Sequence, residues 1–350
     1  MGDRPHIWVL WRRRKGDLEQ MLSLVSAVGW TYEIKQLDFR WADIPVLAPL
    51  LLKRSSDPLT PPWPDLVMCA EALPSIIARD IKHKSGGTVK TVCIGRPAGT
   101  PDAFDLVITT AQYRIPKAAN VVELPMPLCA HSAQEMAAAY PDVAQRPLIA
   151  VLVGGPSFPD RLDAEVAERM AREFRPYTER SGGTLAFVTS PRTPDGVIAA
   201  LSSVLAPPHR LHVFGKTQNQ YRPLLAAADQ IIVTSDSASM VADALDTNKP
   251  VFVYLLPQRL GVQWKLTEWL YNHAVIKRSS LLWPVKLLFD AGVFEAAADR
   301  RLLFAKLVQE KRIGWFGNEP PSPQPDVAAR DLAVAAKALC DLVARAAIEK

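Results

Sequence analysis

The sequence predicts an α/β protein of two Rossmann-like halves with a helix at the C-terminus. Two patterns carry that expectation. In both halves short apolar runs alternate with segments of helical period, the order that builds a parallel sheet covered by helices. Glycines and short polar residues directly follow several of those runs, at the strand ends where open parallel sheets bind their ligands.

In the first half, residues 7–11 read as an apolar strand, 18–28 as a helix and 32–39 as a second strand. The proline-rich stretch 41–64 reads as an irregular connection and 65–69 as a short strand. A helical pattern over 71–84 is closed by Gly86 and Gly87, because glycine accepts the left-handed conformation at a helix end. Strands at 89–94, 105–109 and 120–124 complete this half, and 125–147 reads as the connection. The second half has strands at 148–153, 185–189, 212–214, 231–234 and 251–255, with helices at 163–179, 194–205, 221–228 and 238–246. Its strands are apolar throughout, as strands covered on both faces must be. An aromatic helical stretch at 264–271, the basic pair Lys277 and Arg278, and a proline-rich linker at 320–325 lead to an alanine-rich helix from about residue 326. The expected boundaries are 1–145 for an N-terminal domain, 146–320 for a C-terminal domain and 321–350 for linker and helix.

Of the 350 residues, 49% are hydrophobic and 22% charged, enough apolar material for two cores and too little charge for disorder. The net charge of +5 suits an anionic small molecule or an acidic membrane surface, and is too weak to argue for nucleic acid. Cys69, Cys93, Cys129 and Cys340 form no CxxC and no zinc spacing with histidine, so free thiols and no structural metal are expected. No run reaches the roughly 18 apolar residues of a membrane helix. No apolar segment follows the cations Arg12, Arg13, Arg14 and Lys15, so a cytoplasmic protein is expected, peripheral at the inner face of a membrane. The run Leu281-Leu282-Trp283 beside Lys277 and Arg278 suits such a surface; the alternative is that it is buried core.

Five loops could carry chemistry. Gly154 and Gly155 follow a strand, where the backbone can approach a ligand closely and its N–H groups can bind phosphate; a plain strand-to-helix turn is the alternative. Ser190, Arg192 and Thr193 follow the next strand, and an arginine at a helix start makes an anion site. Thr193 before Pro194 also reads as a helix cap. The run Thr234-Ser235-Asp236-Ser237-Ala238-Ser239 is longer than a cap needs. Its hydroxyls Ser235, Ser237 and Ser239 could hold a diphosphate, and Asp243, one turn after Ser239, could take both hydroxyls of a ribose. The polar loop from Phe214 to Tyr221 could meet a base edge. In the first half, Asp17 follows the cation run; it is a candidate general base, or simply a helix cap.

Together these loops resemble the mitochondrial-fission-ELM-like family, whose members are treated as candidate GT-B glycosyltransferases. The resemblance rests on Leu152-Val153-Gly154-Gly155, on Thr189-Ser190-Pro191-Arg192-Thr193-Pro194 and above all on Thr234-Ser235-Asp236-Ser237-Ala238-Ser239-Met240. Ser85-Gly86-Gly87, Phe104-Asp105-Leu106-Val107 and Gln112-Tyr113-Arg114-Ile115-Pro116 add to it. It implies two Rossmann-like domains facing a cleft, GT-B-like, with a nucleotide-sugar donor on the C-terminal one. Gly154, Gly155, Ser190, Arg192, Ser237, Ser239 and Asp243 carry over as donor-site residues. The family usually has Glu at the position of Asp243, and often His at that of Asp17.

The function these readings imply is metal-independent transfer of a sugar from a nucleotide-sugar to a lipid-linked glycolipid or polysaccharide precursor at the membrane surface. It needs no cofactor beyond that substrate and no nucleic-acid partner. Hydroxyls, a helix N-terminus and Arg192 would stabilise the leaving diphosphate. Two other classes fit the same residues: a non-catalytic nucleotide-binding or interaction protein, and a sugar-nucleotide epimerase. Only the transferase requires an acceptor.

Overall fold

A computed structural model describes residues 4–12, 15–37, 57–128, 140–143, 145–294, 296, 298–319, 321 and 327–348. In chain order the first elements are β1 (His6–Trp11), α1 (Lys15–Val28), β2 (Thr31–Gln36), β3 (Leu66–Ala70), α2 (Ala72–Lys84), β4 (Lys90–Ile94), β5 (Leu106–Thr110) and β6 (Val121–Leu124). There follow β7 (Leu148–Val153), α3 (Ala164–Ser181), β8 (Thr184–Thr189), α4 (Asp195–Val204), β9 (Arg210–His212), α5 (Tyr221–Ala227), β10 (Gln230–Thr234) and α6 (Ala238–Leu245). The chain closes with β11 (Val251–Tyr254), α7 (Val262–Tyr271), α8 (Trp283–Asp290), α9 (Arg300–Gln309), β12 (Gly314–Trp315) and α10 (Val327–Ile348).

The chain divides into two compact units. Unit 1 comprises Met1–Ala130, Gly261–Asp299 and Ala329–Lys350; unit 2 comprises His131–Leu260 and Arg300–Ala328. The units are thus discontinuous, where the sequence suggested contiguous blocks of 1–145, 146–320 and 321–350. Long-range contacts are the reason. On α10, Ala335, Leu339 and Leu342 are buried in the core built on β1 and β3. Arg114 of unit 1 pairs with Glu268 of α7 and with Asp299, both at 2.5 Å. Arg79 of α2 donates to the carbonyl of Asp290 at 2.9 Å.

In unit 1 the six strands run in the order β2-β1-β3-β4-β5-β6, all parallel. Strand periodicity sorts their side chains. Ile7, Val9, Leu66, Met68, Val92 and Ile94 pack under Met21, Leu24 and Val25 of α1 and under α10. Trp8, Leu10, Val67, Cys69, Cys93 and Val107 point the other way, onto Ile77, Ala78 and Ile81 of α2. Cys69 and Cys93 are free, buried and paired in register; burial pushes the Cys93 thiol well above its ordinary value, which leaves it inert. Cys340 is exposed on α10, and Cys129 lies outside the described residues.

Unit 2 has the order β12-β11-β10-β7-β8-β9, again all parallel. Every residue of β7 and β8 is buried. Val166, Met170 and Phe174 of α3 and Val197 and Leu201 of α4 join Ile149, Val151, Leu185 and Phe187 in its core. Asp163 starts α3 by accepting from the Val166 amide at 3.1 Å, and Gly182, at φ 68°, ends it. The strand read at 212–214 forms instead at Arg210–His212, because the Phe214 amide donates to the Thr189 hydroxyl at 2.9 Å, outside the ladder.

Each sheet reverses its direction of growth once. In unit 1 the chain builds outward from β1 to β2, then restarts at β3 on the other side of β1; in unit 2 it restarts at β10 beside β7. At such reversals the loops leaving the two central strands diverge, and α/β proteins bind ligands there. No helix among the described residues is long and apolar enough to cross a membrane.

Candidate nucleotide site

The loops after β7, β8 and β10 meet because those three strands are neighbours across the reversal of unit 2. Gly154 and Gly155 leave β7. The Gly154 amide donates to the Thr234 hydroxyl at 2.9 Å and the Gly155 amide to Asp236 Oδ2 at 2.8 Å. These N–H groups, which the sequence aims at a phosphate, are therefore bound to protein acceptors. The reason for glycine is close approach. A Cβ on Gly154 would fall 1.9 Å from Asp236 Oδ2, and one on Gly155 2.4 Å from the carbonyl of Arg192.

The β8 loop is knitted by hydroxyls. Thr193 Oγ1 accepts from the Ser190 amide at 2.8 Å and reaches the carbonyls of Val153 and Gly154 as donor, at 3.1 and 2.5 Å. Ser190 Oγ accepts from the Arg192 amide at 3.2 Å. Thr193 does not cap the following helix, as the sequence suggested. That helix begins at Asp195 with Pro194 as its cap residue and no capping side chain, since the Thr193 hydroxyl is spent on the β7 loop. Arg192 projects from this loop half-exposed, its Nη2 3.6 Å from Asp236 Oδ2.

Asp236 is the residue that sequence reasoning missed. It is almost wholly buried, one oxygen serves Gly155, and Oδ1 has no hydrogen-bond partner among the described residues. Burial pushes its carboxyl above the ordinary value, against the pull of Thr234, the Gly155 amide, Arg192 and Arg300. A raised value in the folded state means a contribution to stability that is full below the ordinary carboxylate range and lost as pH rises through the raised value. Asp236→Asn is therefore expected to gain stability relative to the parent as pH rises from the ordinary carboxylate range through the raised value. Urea unfolding across that range measures it; a deficit of the same size at every pH would contradict the assignment.

On the β10 side, Ser235 faces β11: its amide donates to the Tyr254 carbonyl and its hydroxyl accepts from the Leu256 amide, both at 3.0 Å. Ser237 caps α6, accepting from the Met240 amide at 3.4 Å, with Ser239 Oγ 3.2 Å away. Ser239 is exposed. Asp243 lies one turn on. It accepts from Tyr221 Oη at 2.7 Å and faces Arg222 Nη1 at 3.6 Å, which ties α6 to the start of α5. The structure thus gathers Gly154, Gly155, Ser190, Arg192 and Thr193 around Asp236. It places Ser237 and Ser239 at the N-terminus of α6, and turns Ser235 away toward β11.

Unit 1 has polar residues at its own reversal. Asp17 is half-buried in the first turn of α1, two residues inside the helix rather than capping it. Glu71 ends β3 at φ 65°, a conformation that costs a non-glycine residue of order 1–3 kcal/mol. Tyr113 Oη donates to Glu71 Oε1. A Cβ on Gly95 would lie 2.8 Å from that same oxygen. Burial, then the Glu71 and Asp17 carboxylates, push the Tyr113 hydroxyl well above its ordinary value. Arg12 is exposed; Arg13 and Arg14 lie outside the described residues. No group of three or more His, Cys, Asp or Glu among the described residues is arranged to hold a metal ion.

Two parallel Rossmann-like units, each with polar residues at its strand reversal, define an α/β protein of GT-B-like fold. The chain belongs to the mitochondrial fission ELM1 family, whose model matches residues 15–278. The mitochondrial fission protein ELM1 of Arabidopsis thaliana is 27% identical over 124 residues, 35% of this chain and 28% of that protein. The chain thus matches less than a third of that relative's length. Among solved structures, the glycotransferase of kitacinnamycin superposes with a TM-score of 0.50 at 13% identity, over 89% of this chain and all of that one. UDP-GlcNAc 2-epimerase from Neisseria meningitidis, solved with UDP-GlcNAc bound, gives 0.47 at 10% identity, over 95% of this chain and all of that one. MurG of Acinetobacter baumannii gives 0.43 at 13% identity over the same shares. At such identity the likeness is one of fold.

Proposed function

We propose that unit 2 binds a nucleotide-sugar and that the chain transfers its sugar, without a metal, to a hydroxyl of a glycolipid or polysaccharide precursor. The observation that carries this reading is Arg192: a half-exposed guanidinium held over the loop cluster by a buried carboxylate. A diphosphate there meets a half-exposed cation beside Asp236, with the hydroxyls of Ser237 and Ser239 and the N-terminus of α6 as further donors. Asp236 acts through its neighbours, positioning the Gly155 amide and Arg192. In unit 1, Asp17 and Glu71 are the carboxylates proposed to take the acceptor's proton.

Asp243 is proposed to hold the ribose. Each carboxylate oxygen can accept more than one hydrogen bond, so the bond from Tyr221 leaves capacity for a cis-diol. Asp243→Asn is expected to weaken nucleotide binding by about 1–3 kcal/mol, the range for a charged hydrogen bond. Tyr221→Phe, which removes only the supporting bond, should cost less. Titration calorimetry reads both; an Asn variant that binds as the parent does would make Asp243 a structural tie between α5 and α6.

The reading as a whole is tested by incubating the chain with nucleotide-sugars, with and without membrane lipid extract, following lipid products by mass spectrometry and the donor sugar by proton NMR. Sugar on lipid only when lipid is present supports transfer. An intact donor whose sugar is epimerised without lipid would make the protein an epimerase. Binding with no product under either condition would make it a non-catalytic nucleotide-binding protein.

A further inference from the structure

The stretch 262–294 of unit 1 is apolar on more than its buried side. Tyr271, Ala274, Val275 and Phe289 form a small core of their own, with Leu270, Leu282 and Val285 packed against it. The same helices leave other large apolar side chains in water. On α7 these are Val262, at 84% exposure, Leu266 and Trp269, spaced four and three residues apart and so on one helix face. Leu281 is 88% exposed and Trp283 62%, and Leu287 follows one turn after Trp283 on α8. Exposed single leucines are ordinary; two tryptophans and four large aliphatic residues within the short stretch Val262–Leu287 are not.

The charges of this layer have one sign outward. Lys265, Lys277 and Arg278 are exposed. Both acids between residues 261 and 290 are engaged by cations of unit 1: Glu268 with Arg114, and Asp290 with Lys286 at 2.5 Å. Arg278 also meets Asp102 at 2.9 Å, in an ion pair that is itself more than half exposed. A face whose free charges are all positive is poorly suited to pair with a second copy of itself, since a two-fold contact brings like charges together. It complements a surface that is both apolar and acidic.

We propose that the α7–α8 face of unit 1 docks on an anionic lipid bilayer, with Trp269, Leu281 and Trp283 entering the headgroup level and Lys265 and Lys277 over acidic headgroups. The proposal is independent of the nucleotide reading, because docking needs no donor and is measured without one.

The test is flotation of the full chain with vesicles of phosphatidylcholine alone, or with about one-third phosphatidylglycerol added. Binding to the anionic vesicles is expected, about tenfold weaker to the neutral ones, and several-fold weaker when salt rises to about 0.5 M. Leu281→Ser with Trp283→Ser should lower anionic binding by about tenfold or more. Both side chains are exposed, so the double variant should fold, which circular dichroism checks. Val334→Ser, on the exposed face of α10, should bind as the parent does. The proposal is overturned if anionic vesicles do not float the chain, if the double variant floats as well as the parent, or if neutral vesicles serve equally. A concentration-dependent dimer that Trp283→Ser abolishes, with no vesicle binding, would assign the face to a second copy instead.

Discussion

Gly154→Ala is expected to cost about 2–4 kcal/mol of stability, adding the strain of overpacking to the loss of a buried hydrogen bond. The new methyl carbon would sit 1.9 Å from Asp236 Oδ2 and 2.6 Å from its Cγ and Oδ1. Asp236 is buried and cannot swing into solvent. It must shift, and in shifting it leaves the Gly155 amide without its acceptor and Arg192 without its carboxylate. Nucleotide affinity should therefore fall more than tenfold even where the variant remains folded. Gly196→Ala is the control: its Cβ meets nothing within 4 Å, and it lies in the first turn of α4, so alanine there should be neutral or mildly stabilising. Urea unfolding of the two variants checks this. A Gly154→Ala protein as stable as the parent would mean that the β7 and β10 loops are further apart than described.

Arg192→Ala is expected to weaken binding of a nucleoside diphosphate by about 1.5–3 kcal/mol, roughly ten- to 150-fold, as a charge-assisted contact is lost. Binding of the bare nucleoside should be unchanged, because nothing assigns Arg192 to the base or the ribose. Stability should change little: the side chain is about half exposed, and its ion pair with Asp236 is a long one at 3.6 Å. Arg192→Lys keeps the charge without the planar fork, so it should restore part of the affinity. Titration with diphosphate and nucleoside in parallel separates the outcomes. An equal loss for both ligands would mean that Arg192 only shapes the loop.

Much of this was legible in the sequence, for physical reasons. Strands covered on both faces read as unbroken apolar runs, so β7, β8 and β10 were readable to within a residue. The loops that follow them stood out by glycine and short polar side chains. Depth was not legible. Along Ser235-Asp236-Ser237 every residue resembles a helix cap, and only packing shows that Asp236 goes under the Gly154-Gly155 pair while Ser235 turns to β11. Glu71 escaped notice because Ala70-Glu71-Ala72 reads as an ordinary helix start; nothing in a non-glycine residue announces positive φ. The helices α8 and α9 gave no clean period. On α8, Phe289 is buried while Trp283 and Leu287 are exposed, so apolar residues surround the axis. The partner of α10 is a long-range contact, and its own alanine-rich face fits many surfaces.

The most direct measurement is a thermal-shift panel of nucleoside diphosphates and their sugars, run in chelator, on the parent, Arg192→Ala and Gly154→Ala. At least one nucleoside diphosphate should stabilise the parent by about 2.7 kcal/mol when present at about 100 times its Kd. A tenfold loss of affinity at the same ligand concentration cuts that to about 1.4 kcal/mol, so each variant should show no more than about half of the parent's shift. If no nucleoside diphosphate or sugar moves the parent's unfolding, or if Arg192→Ala responds as the parent does, the loops after β7, β8 and β10 are not a nucleotide site.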